Sequence, residues 1–178
     1  MTPIDVESCP RCAAPRVDDH AFCESCGHRF GADVEDAPES ATVAGWEVVI
    51  SADRDRYDRL DQPGVEFPAA YVGRVVELTD AEVQIGRRSQ SRGVEPQIDL
   101  SGVPEDPAIS HLHAVLVRDE RDGYSLCDLG STNGTTINDD PTPIPRDTPV
   151  ALDDGDRVHL GAWTTLTIRS RASSIAPA

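Results

Sequence analysis

The sequence predicts a mainly β protein: an antiparallel sandwich preceded by a small metal module and a flexible acidic linker. Three observations lead there. From Tyr71 onward, short hydrophobic runs are divided by turn residues at the spacing of a sandwich. Upstream lie two Cys-x-x-Cys pairs, Cys9/Cys12 and Cys23/Cys26. Between these regions, residues 31–44 are acidic, small and free of aromatics, the composition of a flexible linker.

In chain order, residues 1–30 read as a zinc ribbon. Each Cys-x-x-Cys pair can form a tight knuckle, and two knuckles supply the tetrahedral four-sulfur set that one structural Zn2+ prefers. Gly27 suits the turn after the second knuckle. His20 and His28 are surplus to a complete set. A module this small has too little hydrophobic core of its own, so the metal must supply most of its stability. Residues 45–70 are expected as an extension packed on the sandwich. Trp46-Glu47-Val48-Val49-Ile50 has the pattern of a strand, and Ser51-Ala52-Asp53 can cap a short helix to about Leu60, with Asp55 and Arg59 spaced to pair. The sandwich itself occupies 71–169, with strands expected at 72–78, 82–86, 97–100, 113–118, 123–128, 134–138, 156–160 and 163–169. Arg121-Asp122-Gly123 reads as a turn, Asp153-Asp154-Gly155-Asp156 as a hairpin turn, and Cys127 as a buried core thiol. Residues 170–178 read as a flexible tail.

Charge narrows the function. The 178 residues carry a net charge of −16, and all 16 basic residues are arginine. Residues 1–30 hold 5 acids and 3 bases, residues 31–70 hold 10 and 3, and residues 71–178 hold 17 and 10. The segment charges are therefore −2, −7 and −7, and none has the basic field of a general nucleic-acid binder. The N-terminus lacks the basic and apolar regions of a signal peptide, and no apolar run approaches membrane-spanning length, so a cytoplasmic protein with no membrane role is expected. No nucleophile elbow, P-loop, kinase signature or His-Glu-x-x-His occurs, and a zinc closed by four thiolates leaves no open position; an enzyme is not expected.

The residues that look functional sit where the hydrophobic alternation stops. Arg87, Arg88 and Arg92 follow Gly86 and form the one dense positive cluster in the sequence. Ser110 offers a hydroxyl from a second loop; Thr132 and Asn133, beside Gly134, offer a hydroxyl, a side-chain amide and backbone N–H groups from a third. Arginine, hydroxyls and amides together make a site for phosphate, and the asparagine amide suits a peptide main chain.

Taken in order, Ile85-Gly86-Arg87, Ile98-Asp99-Leu100, Ser110-x-x-His113, Asp128-Leu129-Gly130-Ser131-Thr132-Asn133-Gly134-Thr135 and Leu152-x-Asp154-Gly155-Asp156-Arg157-Val158-x-Leu160-Gly161 resemble a forkhead-associated (FHA) domain of bacterial type over residues 71–169. The resemblance implies an antiparallel sandwich of about eleven strands whose apical loops bind phosphothreonine peptides. It implies that Arg87, Ser110 and Thr132 hold the phosphate, that Asn133 grips the peptide backbone, and that His113 supports the loops from behind while Gly86 and Gly134 permit the turns. Arg88 and His111 are additional candidates, because the segment from Arg88 to Gln97 lengthens the loop after Arg87 and His111 stands where relatives often carry Arg or Asn.

The function expected is a phosphothreonine-binding adaptor whose partners are products of a Ser/Thr kinase. The alternative is a scaffold or nucleic-acid-associated protein driven by the zinc ribbon, with the sandwich merely structural. Thr42, in the acidic linker, is a candidate for phosphorylation and intramolecular binding to the same loops.

Overall fold

The computed structural model describes Ser8, Cys9, Ala14, Phe22, Cys23, residues 45–60 and residues 63–171. Cys12, Cys26, the linker 31–44 with Thr42, and residues 172–178 lie outside the described residues. Among the described residues the chain forms ten strands: β1 (Gly45–Ala52), β2 (Arg74–Leu78), β3 (Glu82–Gly86), β4 (Ile98–Asp99), β5 (Ala114–Arg118), β6 (Tyr124–Asp128), β7 (Thr136–Ile137), β8 (Val150–Leu152), β9 (Arg157–Leu160) and β10 (Thr164–Arg171). A short helix, α1 (Arg54–Leu60), follows β1, and one 3-10 turn covers Gln90–Arg92.

Two five-stranded sheets face each other, in the orders β2-β1-β10-β9-β7 and β4-β3-β5-β6-β8. The inward residues of both sheets form one core, with Ile50, Ile85, Leu116, Leu126, Leu160 and Leu166 fully buried. Alternation along β5 and β6 explains which side chains enter it. Leu116 and Leu126 point inward, whereas Val115 and Cys127 lie on the outer face and form a second buried cluster with Phe22. Cys127 is therefore buried, but beneath the N-terminal segment and outside the sandwich core.

Several expectations change. The segment 45–70 is no appendage: β1 lies inside its sheet, paired antiparallel with β10 from Gly45↔Arg171 to Ala52↔Thr164 and with β2 from Trp46↔Leu78 to Ile50↔Arg74. Val48 and Ile50 are completely buried, so β1 is as much core as any strand after it. The strand count is ten among the described residues, short of the eleven implied by resemblance. The second sheet is mixed, because β3 and β4 run parallel. Strand pairing carries β10 through Ser170 and Arg171, which removes these two residues from the expected tail. The turn at Asp154–Gly155 is not a hairpin, since β8 pairs with β6 and β9 pairs with β10; it carries the chain between sheets. Arg121–Gly123 does close the β5–β6 hairpin. In α1, Asp53 Oδ1 accepts from the Arg56 N–H at 2.9 Å as a cap, and the pair that forms along the helix is Arg54–Asp58 in place of Asp55–Arg59.

Candidate functional site

Three loops meet at one end of the sandwich: the one after β3, the one before β5 and the one after β6. Their approach is set by backbone contacts. The Arg87 N–H donates to the carbonyls of Ser110 (3.2 Å) and His111 (3.1 Å). A Cβ on Gly86 would stand 2.0 Å from the His111 carbonyl oxygen, so no larger residue fits there without moving the β5 loop. Gly134 has φ of +76°, and a Cβ there would press on Pro143 at 2.9 Å.

Behind the loops lies fully buried His113. Its Nδ1 accepts from the Ser110 N–H at 3.1 Å, its own N–H donates to Ile85 O at 2.9 Å, and its carbonyl accepts from Leu129 N–H at 3.0 Å. One residue thus joins β3 to the two loops that follow. An accepting Nδ1 requires the neutral ring with its proton on Nε2, which is buried beside the Gly134 backbone without a well-formed hydrogen bond. Burial holds the His113 pKa below its ordinary 6.5, against the opposing pull of Asp128.

The functional side chains then converge. Arg87 Nε donates to Ile109 O at 2.5 Å and Nη1 pairs with Glu105, and the side chain is only one-fifth exposed. The Ser110 and Thr132 hydroxyls are 3.4 Å apart, and Ser110 Oγ accepts from the Thr132 N–H at 3.1 Å. Asn133 Nδ2 donates to Ala108 O at 2.8 Å, stapling one loop to its neighbour. All four border a cavity of about 640 Å³. His111 also lines it, with Nδ1 3.2 Å from Arg87 O. Arg88 does not: its N–H and Nε turn to Asp99, at 3.1 and 3.3 Å. Arg92 does line it, carried on the Gln90–Arg92 turn.

Residues 83–161 match the family model of the FHA domain. That stretch of the chain is FHA-like in sequence. Over 85 residues, 48% of the chain, it is 34% identical to Protein FraH of Nostoc sp.. The match takes in 28% of FraH, well under two thirds of that relative's length. The solved FHA domain of an Arabidopsis thaliana hypothetical protein superposes with a TM-score of 0.54 at 19% identity, covering 80% of this chain and 100% of that one. An FHA domain from a Chlamydia trachomatis protein gives 0.50 at 20% identity, covering 72% and 99%. At such identities the likeness is one of fold.

Two buried carboxylates hold these loops in place, and sequence reasoning assigned neither a role. Asp128 accepts from the N–H groups of Gly130 (2.9 Å) and Ser131 (2.8 Å) and from the hydroxyls of Ser131 and Thr135, both at 2.6 Å. It therefore shapes the loop that presents Thr132 and Asn133. Asp106 accepts from the N–H groups of Ala108, Ala162, Trp163 and Thr164 and from the Thr164 hydroxyl, tying the loop before Ser110 to the β9–β10 turn. The signal for Asp128 was present, since Asp two residues before Gly is a frequent local turn former. Asp106 carries no such signal, because four of its five partner groups lie more than fifty residues away.

Proposed function

We propose that this FHA domain binds phosphothreonine peptides at the meeting point of its three loops and serves as an adaptor for products of a Ser/Thr kinase. The observation that carries the reading is the convergence of Arg87, the paired hydroxyls of Ser110 and Thr132, and Asn133 on one cavity that no carboxylate lines among the described residues, in a chain of net charge −16. A phosphate carries about −1.5 to −2 charge and three acceptor oxygens at neutral pH. Arg87 offers it a charged donor, while Ser110 and Thr132 offer two hydroxyls 3.4 Å apart, close enough to donate to one phosphate together. Asn133 spends an N–H on Ala108 and keeps its amide oxygen for a peptide N–H.

Fluorescence anisotropy with a labelled phosphothreonine peptide, its unphosphorylated form and its phosphoserine form tests the reading. The first should bind best and the second not at all. Arg87→Ala should weaken binding by about thirtyfold or more, the loss of a charge-assisted hydrogen bond of about 2–3 kcal/mol. Equal affinity for the phosphorylated and plain peptides would overturn the assignment.

The N-terminal segment adds a second element to the proposal: one structural Zn2+ held by Cys9, Cys12, Cys23 and Cys26. Cys9 and Cys23 are buried, as thiolate ligands of a closed site are, and Phe22 between the pairs packs on Val115 and Cys127. The ribbon then acts as a structural cap on the outer sheet face. Metal analysis of the purified chain should give one zinc per chain, lost in Cys9→Ser with Cys23→Ser; a zinc-free, fully folded protein would refute it.

A further inference from the structure

The cavity holds more positive charge than one phosphate uses. Three arginines line it, Arg87, Arg92 and Arg146, and no carboxylate does so among the described residues. Arg87 is already answered by Glu105. Arg92 and Arg146 form no ion pair with any described carboxylate, although acids outnumber bases two to one in the chain.

Both are held by ordered backbone. The long loop after Arg87 closes on itself: Ser89 and Val94 exchange backbone hydrogen bonds of 2.9 and 3.0 Å, Gly93 turns the chain with φ of +64°, and Val94 is buried. This leaves Arg92 exposed at the tip, facing the cavity. Arg146 reaches the same cavity from the segment ahead of β8. Its backbone bridges to Asp128, the next N–H (Asp147) donates to the Asp128 carbonyl at 2.9 Å, and its guanidinium lies along the loop with Nη2 3.4 Å from Ser131 O. Two independent loops therefore aim guanidiniums at the space beside Ser110 and Thr132.

Resting on the phosphothreonine reading, we propose that the preferred peptide carries a second anionic side chain near its phosphothreonine, and that Arg92 and Arg146 receive it. A guanidinium fork matches a carboxylate or a second phosphate equally well in geometry, so the shared requirement is an anion with paired oxygens. In a strongly acidic protein such a peptide is repelled from most of the surface. The two uncompensated arginines supply the local attraction it needs, and they reject peptides that bring a cation to the same place.

The test measures affinities of the full chain for three phosphothreonine peptides: one flanked only by alanine, one set with a single glutamate walked along the flanking positions, and one set with a second phosphothreonine walked likewise. At one position or more, the glutamate or second phosphate should tighten binding about tenfold over the alanine peptide, a margin of about 1.4 kcal/mol. Arg92→Ala and Arg146→Ala should each shrink that margin while leaving affinity for the alanine peptide nearly unchanged, with unaltered thermal melts confirming the fold. A gain from phosphate but not glutamate identifies a doubly phosphorylated ligand as the source. Equal affinity for all three peptide types, or a margin intact in both variants, overturns the second-anion assignment and leaves phosphothreonine binding standing. Failure of every phosphorylated peptide to bind overturns the reading on which it rests.

Discussion

Glu105 is the residue that most changes how the site works. Its carboxylate, partly exposed at 42%, pairs with Arg87 Nη1 at the edge of the cavity and holds part of the guanidinium's charge. An incoming phosphate must compete with it. An ion pair this exposed is worth about 0.2–1 kcal/mol, so Glu105→Ala should tighten phosphothreonine binding by up to about fivefold, measured as Kd at fixed ionic strength. Arg87 stays in place in that variant through the Ile109 carbonyl. Weaker binding would instead mean that Glu105 positions the guanidinium. The places of Arg87, Ser110, Thr132 and Asn133 around one cavity were legible because each stands in a local motif. Glu105 and Arg146 were not, since an acid in a Pro-rich loop and an arginine between prolines reveal nothing until distant loops are placed side by side.

Among the elements, the loop between β4 and β5 depends on one carboxylate. Asp106 is 1% exposed and gathers five donors, most of them from the β9–β10 turn. Gly161 on that turn has φ of +56° and approaches so closely that a Cβ would stand 2.6 Å from Asp106 Oδ2. Asp106→Ala would leave several buried N–H groups unsatisfied and should cost at least about 3 kcal/mol, read from urea denaturation, with peptide affinity falling as the Ser110 loop loosens. Unchanged stability would show that water replaces the carboxylate. The elements themselves were largely legible: β3, β5, β6 and β9 lie within two residues of their expected limits, because hydrophobic alternation and Gly or Asp turns bound them. β8 was missed since three residues beside a Pro-rich loop give no period. The place of β1 was missed because alternation reports burial but not which strands become neighbours.

At the scale of the molecule, two buried histidines set the acid response. Burial lowers the pKa of His113 below 6.5, and burial together with Arg56 and Arg157 lowers that of His159 to about 4. Both folded pKa values lie below the unfolded value, so the unfolded chain takes up protons first as pH falls. The stability that His159 contributes above pH 6.5 is therefore lost as pH drops toward about 4, at up to about 1.4 kcal/mol per pH unit, and His113 adds a loss of the same sign below pH 6.5. Thermal melts between pH 7 and 5 should show the decline before most carboxylates titrate, and His159→Gln should flatten it. A flat wild-type profile over that range would contradict the neutral, buried assignment.

The seam between β1 and β10 also fixes when the sandwich can come together. Gly45 meets Arg171 across it, so the first and last strands depend on each other while every other strand lies between them in the chain. Until β10 has been synthesised, β1 has β2 as its sole partner and presents an open sheet edge, and closing the seam requires the long intervening chain to be ordered first. The family match ends at Gly161, before β10 begins, and starts after β1 and β2. A fragment limited to residues 83–161 keeps only β9 and β7 of the first sheet. Circular dichroism and proteolysis should find that fragment unfolded, while residues 45–171 fold cooperatively; a folded short fragment would show that the seam is dispensable.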